Sequence, residues 1–92
     1  MKTVAEVQVI PIGVGVSVRR EVQRAHEILK AAGLRVELHA YGTNVEGELS
    51  AILQAVEQVH RTLHAEGTVR LSTFLKLGTR TDKDPSLSGK LF

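Results

Sequence analysis

Apolar and polar residues alternate over four short segments of the chain, and such alternation is typical of half-buried β-strands. In the first segment, Ala5, Val7 and Val9 fall on one face, whereas Glu6 and Gln8 fall on the other. Because the alternation returns three times, the sequence predicts four strands. The predicted strands cover residues 3–12, 34–41, 43–48 and 69–77.

Two longer segments between these strands carry apolar residues three or four positions apart, which is the spacing of an amphipathic helix. Ser17 precedes the first segment and is a favourable N-cap residue, because its hydroxyl can accept a bond from a free backbone N–H. Gly33 and Gly67 follow the two segments, where helices commonly end in a left-handed residue. The predicted helices cover residues 18–32 and 48–65.

The resulting order is strand-helix-strand, repeated once. Two such halves pack as a ferredoxin-like βαββαβ sandwich of the α+β class, with a four-stranded antiparallel sheet and two helices on one face. We assign residues 1–78 to this domain. Residues 79–92 begin with a polar stretch, and we predict that they form a tail that packs on the domain or on a neighbouring subunit. Within the tail, residues 86–92 are expected to regain a helical turn.

The helices leave one face of the sheet uncovered, and we call it the open face. Two interpretations remain: the open face is solvated, or it packs against a second copy of the chain. We favour a sheet-to-sheet or edge-to-edge homodimer, because a domain of 92 residues buries only roughly 60–65% of its unfolded surface. The residues predicted on the open face are Glu6, Gln8, Ile10, Arg35, Glu37, His39, Tyr41, Asn44, Glu46, Arg70, Ser72, Phe74 and Lys76.

The composition narrows the function classes. The 12 Lys and Arg and 10 Asp and Glu give a net charge of +2 and are interleaved, unlike the clustered basic face of a nucleic-acid-binding protein. The absence of cysteine excludes a disulfide scaffold, thiolate metal sites and a cysteine nucleophile. We find no signal-peptide pattern and no apolar run approaching the roughly 18 residues of a membrane span. We therefore expect a cytoplasmic protein that binds neither nucleic acid nor membrane.

The segment between the second strand and the second helix is the most distinctive. Residues 41–48 contain two glycines, a threonine, an asparagine and two carboxylates, and binding chemistry concentrates at such element ends. Glu46 and Asn44 can together recognise an amino-heterocycle, because a carboxylate accepts from its exocyclic amine and an amide matches a ring nitrogen. Glu46 and Glu48 share one side of the strand, but no nucleophile accompanies them. Binding is therefore favoured over acid–base catalysis.

Three other motifs have a functional and a structural interpretation. The Gly-Val-Gly sequence at residues 13–15 precedes a helix, so it could hold an anion or simply form a turn. His60 and His64 lie one helical turn apart, so they could bind a metal or be partly buried. Arg80 offers a planar fork to phosphate or carboxylate, or the segment is a soluble loop or forms an Arg80–Asp82 or Lys83 salt bridge across a subunit boundary. We favour the structural interpretation for all three.

Three segments taken together resemble the small thiamine-binding protein family. The resemblance covers essentially the whole chain, and it depends on the order and spacing of all three. The second of these segments has the sequence Gly-Thr-Asn-Val-Glu-Gly, and the third segment contains the sequence Thr-Arg-Thr-Asp-Lys. The segments are residues 9–13 with 17–18, residues 42–47, and residues 77–83 with 86–87 and 90–91.

The resemblance implies a subunit that pairs through its sheets, often as a dimer of dimers. It also implies binding of thiamine or its hydroxymethylpyrimidine moiety near subunit contacts, without catalysis and with no required cofactor or metal. Thr43 and Glu46 match the family's Gly-Thr-x-hydrophobic-Glu-Gly motif. Arg80 and Lys83 match its Thr-Arg-x-Asp-Lys motif. Phe74 offers an aromatic face to the thiazolium cation. The predicted ligand-binding residues are Thr43, Asn44, Glu46, Phe74, Arg80 and Lys83.

Three other function classes compete with this one. A structural or regulatory homo-oligomeric protein that binds another small or anionic ligand needs only the open face and the tail. A ferredoxin-like acylphosphatase needs a glycine-rich loop and an arginine in the first turn of the helix, and Arg19 and Arg20 do not clearly form that pattern. An RNA-binding sheet of this topology needs aromatic residues on its central strands, where we place only Phe74.

Overall fold

A computed structural model describes residues 1–88 of the chain. It contains strands and helices in the order that the sequence predicts, packed as a ferredoxin-like sandwich. No helix within these residues is long and apolar enough to cross a membrane. The elements are β1 (Lys2–Ile12), α1 (Arg19–Ala31), β2 (Arg35–His39), β3 (Gly42–Glu48), α2 (Leu49–Ala65) and β4 (Arg70–Gly78).

The strands form one antiparallel sheet in the spatial order β2-β3-β1-β4. The central strand β1 has 11 residues, whereas β3 has 7. β1 pairs with β4 as far as Ile12, opposite Arg70, but with β3 only as far as Val7, opposite Thr43. The C-terminal part of β1 therefore has a neighbouring strand on one side only.

Both helices pack on one face of the sheet, and the core between them is aliphatic. Ala5 and Val7 of β1 point toward the helices, where they meet Leu29 of α1 and Ile52 of α2. Leu29 and Ile52 are no more than 1% exposed. The buried core consists of Ala5, Val7, Ala25, Ile28, Leu29, Leu34, Val45, Ile52, Ala55, Val59 and Leu63. The predicted helical stripes and strand faces are thus the ones that pack.

The predicted N-cap of α1 is wrong. Ser17 does not cap α1, because Val18 occupies the N-cap position and no side chain caps this end of the helix. The Val18 carbonyl accepts the first bond from the Val22 N–H at 3.0 Å. β1 ends at Ile12, as predicted, and Pro11 lies buried within it, opposite Leu71 of β4. A proline is compatible with this part of β1 because the strand has only one neighbour here.

The C-terminal ends of both helices agree with the prediction, whereas β2 ends earlier than predicted. Gly33 and Gly67 follow α1 and α2 with φ angles of 81° and 107°, the left-handed conformation that commonly ends a helix. β2 ends at His39, so Ala40 and Tyr41 form a two-residue loop. Tyr41 therefore lies in this loop and not on the open face.

Part of the tail folds over the open face. Pro85 and Leu87 are buried, and Leu87 lines the same surface groove as Val4 and Gly78. Val4 is only 5% exposed, although its neighbour Ala5 is the residue that faces the helices. Contact of the tail with a neighbouring subunit stays a prediction, and the helical turn predicted over residues 86–92 lies mostly outside the described residues.

Close packing explains both glycines of β3. A Cβ atom at Gly42 would lie 2.7 Å from the carbonyl oxygen of Val7, and a Cβ atom at Gly47 would lie 2.5 Å from Leu34 Cδ2. The Val7 oxygen belongs to the central strand and cannot move without disturbing the sheet. The Leu34 contact involves the end of a side chain, which can rotate. Gly42 therefore keeps the start of β3 close to β1.

We expect Gly42→Ala to lower the free energy of unfolding by about 1–3 kcal/mol, the usual cost of forcing extra atoms into a packed site. Gly47→Ala is the matched control and should cost less, because its clash is with a movable side chain. Urea unfolding followed by circular dichroism measures both. An equal or larger loss for Gly47→Ala would contradict this account of the β3 start.

Candidate functional site

A cavity of about 320 Å³ lies between β1, the beginning of α1 and the β2–β3 loop. Its walls are mostly aliphatic, and Leu29 at 1% exposure and Ala25 at 4% come from the packed face of α1. The lining residues are Val7, Gln8, Val9, Ile10, Pro11, Val18, Val22, Ala25, Leu29, His39, Ala40, Tyr41, Gly42 and Thr43. The cavity is therefore an extension of the core that reaches the surface at one end of the sheet.

The cavity exists because β3 stops pairing with β1 at Val7. Beyond that residue β1 continues along β4 to Ile12, so the backbone groups on its other edge have no strand partner. Val18 and Val22, at the start of α1, cover the gap. Buried backbone N–H and C=O groups need hydrogen-bond partners, so this edge of β1 can offer them to a ligand.

Few polar side chains line the cavity. Thr43 is 5% exposed, and within residues 1–88 its hydroxyl forms no hydrogen bond. No Asp, Glu, Lys or Arg is among the lining residues. Such a cavity suits a neutral, flat and largely apolar ligand that makes a small number of directional polar contacts.

Of the six predicted ligand-binding residues, Thr43 alone lines this cavity. Its side chain points to the helix side of the sheet, because strand residues alternate between the faces. Asn44 and Glu46 consequently point to the open face. Within one chain, the sheet therefore separates Thr43 from Asn44 and Glu46.

The open face carries three of the predicted residues. Asn44 lies opposite Glu6 of β1 and Glu37 of β2 in the strand register. Glu46 Oε2 lies 3.4 Å from Arg35 Nη1. Phe74 is 64% exposed, opposite Gln8 of β1. These residues form a mixed polar and aromatic surface rather than an enclosed site.

The remaining two predicted residues lie in the tail. Arg80 donates from Nε to Asp82 Oδ1 at 2.6 Å and from Nη2 to the other carboxylate oxygen. Arg80 therefore pairs with Asp82 within one chain, and a salt bridge across a subunit boundary stays a prediction. Lys83 is exposed. The single chain does not bring Arg80 or Lys83 to the cavity, and their part in a ligand site stays a prediction.

His60 and His64 have structural partners. His60 Nε2 lies 2.7 Å from the Thr73 hydroxyl of β4, and His64 Nδ1 lies 2.7 Å from the Thr68 carbonyl oxygen. Within residues 1–88 no group of three or more His, Asp or Glu side chains is arranged to hold a metal ion. His60 is half-buried, as the structural interpretation expects, whereas His64 is exposed.

Sequence reasoning missed most of the cavity wall, including Gln8, Val22 and His39. The apolar residues of the wall look like ordinary core positions in the sequence. The signal that could have found the cavity is the unequal length of neighbouring strands, since β1 is predicted to be much longer than β3. Only the register shows at which residue the partner strand ends.

Comparison with known proteins shows similarity over almost the whole chain. The sequence model of a family described as thiamine-binding protein matches residues 5–92. A UPF0045 protein of Synechocystis sp. is 38% identical over 99% of this chain and 75% of its own length. A UPF0045 protein of Methanocaldococcus jannaschii is 41% identical over 98% of this chain and 89% of its own length.

Solved structures share the fold. The crystal structure of the Methanocaldococcus jannaschii protein aligns with a TM-score of 0.91, at 41% identity, over 98% of this chain and 92% of that one. A Thermotoga maritima protein, named for thiamine biosynthesis or salvage, aligns with a TM-score of 0.86 over 99% of this chain and 96% of that one. Its sequence identity is 22%, so this second likeness shows the fold alone.

The Arg80–Asp82 pair gives a testable consequence. The hydrogen bond from the Arg80 guanidinium is the main cause that lowers the pKa of the Asp82 carboxyl from its ordinary value. Arg80→Gln should therefore raise the pKa of Asp82, measured by NMR titration of its carboxyl carbon. Lys83→Gln is the control and should leave that pKa in place. An unchanged Asp82 pKa in Arg80→Gln would show that Arg80 and Asp82 do not form this ion pair in solution.

Proposed function

The chain belongs to the thiamine-binding protein family, and we propose that it binds thiamine or its hydroxymethylpyrimidine moiety in the cavity beneath α1, without catalysing a reaction. The observation that carries this proposal is the cavity, whose wall includes Thr43 of the family's Gly-Thr-x-hydrophobic-Glu-Gly motif. The family match over residues 5–92 supports the class of ligand, and the geometry of the cavity wall supports the location of the binding site.

The size and the walls of the cavity suit a pyrimidine ring. Small-molecule sites usually have volumes of about 300–1,000 Å³, and the cavity, at about 320 Å³, lies at the low end of that range. A substituted pyrimidine is flat and presents two apolar faces. Val9, Val22 and Leu29 can contact those faces, because all three line the cavity.

The polar edge of the ring can find partners on the sheet. An aminopyrimidine presents ring nitrogens that accept hydrogen bonds and an exocyclic amine that donates them. The Thr43 hydroxyl can donate or accept a hydrogen bond. The unpaired backbone edge of β1 beyond Val7 supplies further donors and acceptors. These groups recognise the ring without any charged side chain.

The absence of carboxylates among the lining residues determines how thiamine would enter. Burying the thiazolium cation without a counter-charge is costly, so the neutral pyrimidine should occupy the cavity and the thiazolium should stay at the mouth. Tyr41 lines the cavity and is 78% exposed. Its aromatic face can attract the cationic ring there.

Self-association through the open face remains a separate part of the proposal. Phe74 at 64% exposure and the polar residues Asn44 and Glu46 give this face the mixed character of a subunit contact. A homodimer or a dimer of dimers would place the tail residues Arg80 and Lys83 near a second chain. Size-exclusion chromatography with light scattering tests this independently of the ligand.

Titration calorimetry with hydroxymethylpyrimidine, thiamine and thiamine phosphates tests the proposed ligand class, and Val22→Phe tests the place. We expect Val22→Phe to weaken binding by about tenfold or more, because the larger side chain fills the cavity. Val56→Phe makes the same change on α2, outside the cavity, and should bind as the wild type does. If the wild type gives no heat and no melting shift at millimolar ligand, the proposed function is wrong.

The role of Thr43 is tested by removing its hydroxyl while keeping its shape. Thr43→Val should weaken binding roughly fivefold, the effect of one lost hydrogen bond, with little change in the melting temperature. Thr73→Val is the matched control, because the Thr73 hydroxyl contacts His60 and does not line the cavity. Wild-type affinity in Thr43→Val would exclude a direct contact between this hydroxyl and the ligand.

A further inference from the structure

The loop between β2 and β3 is an unusual hairpin turn. It contains only Ala40 and Tyr41, and neither residue has a positive φ. Two-residue hairpin loops favour turns with positive φ at one or both central residues, because those turns match the twist of the strands. This loop therefore needs support from outside its own backbone.

The side chain of His39 supplies that support. The Tyr41 backbone N–H donates to His39 Nδ1 at 3.2 Å. A side chain that accepts from the backbone N–H two residues ahead imitates a turn of the main chain, as Asn and Asp commonly do. Because Nδ1 accepts a hydrogen bond here, it carries no proton. The neutral ring must then carry its proton on Nε2.

A second contact favours the same tautomer. His39 Nε2 lies 3.2 Å from Glu6 Oε2 on the neighbouring open face. The nitrogen is shielded from solvent, but its N–H is not directed well enough at the oxygen to form a hydrogen bond. The contact is therefore electrostatic, and a carboxylate at this distance favours a proton on the nitrogen that faces it.

We infer that His39 is a positioning residue for the ligand site: it accepts the Tyr41 N–H and so holds the β2–β3 loop as a wall of the cavity. His39, Ala40, Tyr41 and Gly42 all line the cavity. Gly42 anchors the far end of the loop, because it packs closely against the Val7 carbonyl. His39 anchors the near end. This inference rests on the proposed function, since it concerns the affinity of the same cavity.

Two substitutions of His39 separate its hydrogen bond from its bulk. His39→Leu keeps a side chain of moderate size, but leucine cannot accept a hydrogen bond from the Tyr41 N–H. His39→Asn can accept it, because an asparagine oxygen reaches the N–H two residues ahead. We expect His39→Leu to weaken hydroxymethylpyrimidine binding about fivefold, because the β2–β3 loop would adopt the conformation that forms the cavity wall only part of the time. His39→Asn should stay within about twofold of the wild type, by the same argument.

The control is His64→Leu, which removes another histidine-to-backbone contact, that to Thr68, at the far end of α2. Its affinity for hydroxymethylpyrimidine should match that of the wild type. Wild-type affinity in His39→Leu, or equal losses in His39→Leu and His39→Asn, would overturn the inference.

Two NMR measurements without ligand separate this inference from the proposed function. Long-range proton–nitrogen spectra should show the Nε2-protonated tautomer of His39. Hydrogen exchange of the Tyr41 amide should be slowed in the wild type and in His39→Asn, but not in His39→Leu. If the wild type binds no pyrimidine while these signatures are present, the proposed function fails and the loop-holding role of His39 stands. A proton on Nδ1, or an unprotected Tyr41 amide in the wild type, would refute the role of His39 whether or not ligand binds.

Discussion

β1 and β3 differ in length, and this mismatch determines most of what distinguishes the molecule. The central strand has 11 residues and its neighbour has 7, so β1 continues beyond Val7 with one edge unpaired. A strand edge next to the core must be covered or paired. Here the start of α1 and the β2–β3 loop cover it incompletely, and the cavity is the space that they leave.

The same sheet separates two functional surfaces. Residues of β3 alternate, so Thr43 lies in the cavity while Asn44 and Glu46 lie on the open face. Thr43 and Glu46 belong to one sequence motif, yet we propose ligand contact for Thr43 and association between chains for Glu46. Gly42 and Gly47, at the ends of this motif, let β3 approach Val7 and Leu34 closely. The motif thus combines a packing requirement with groups that face both sides of the sheet.

Periodicity predicted the fold almost completely, because most apolar positions of the predicted helical stripes and strand faces pack in or against one core. The family resemblance pointed correctly to the thiamine-binding protein family. The errors concern where individual helices and strands begin and end, because the type of side chain alone does not determine these positions. Ser17 is a favourable N-cap residue, but Val18 occupies the N-cap position of α1. β2 ends at His39 and not at residue 41. The cavity was missed for a related reason: Val22 and Gln8 have no unusual chemistry, and their role depends on the strand register.

The central claim is that a pyrimidine ring occupies the cavity beneath α1. Intermolecular nuclear Overhauser effects test it most directly, with methyl-labelled Val and Leu in the protein and unlabelled hydroxymethylpyrimidine as ligand. The account predicts contacts between the methyl group of the pyrimidine and the methyl groups of Val22 and Leu29. Contacts confined to the open face, such as to the ring of Phe74 and the methyl groups of Val4, would contradict it.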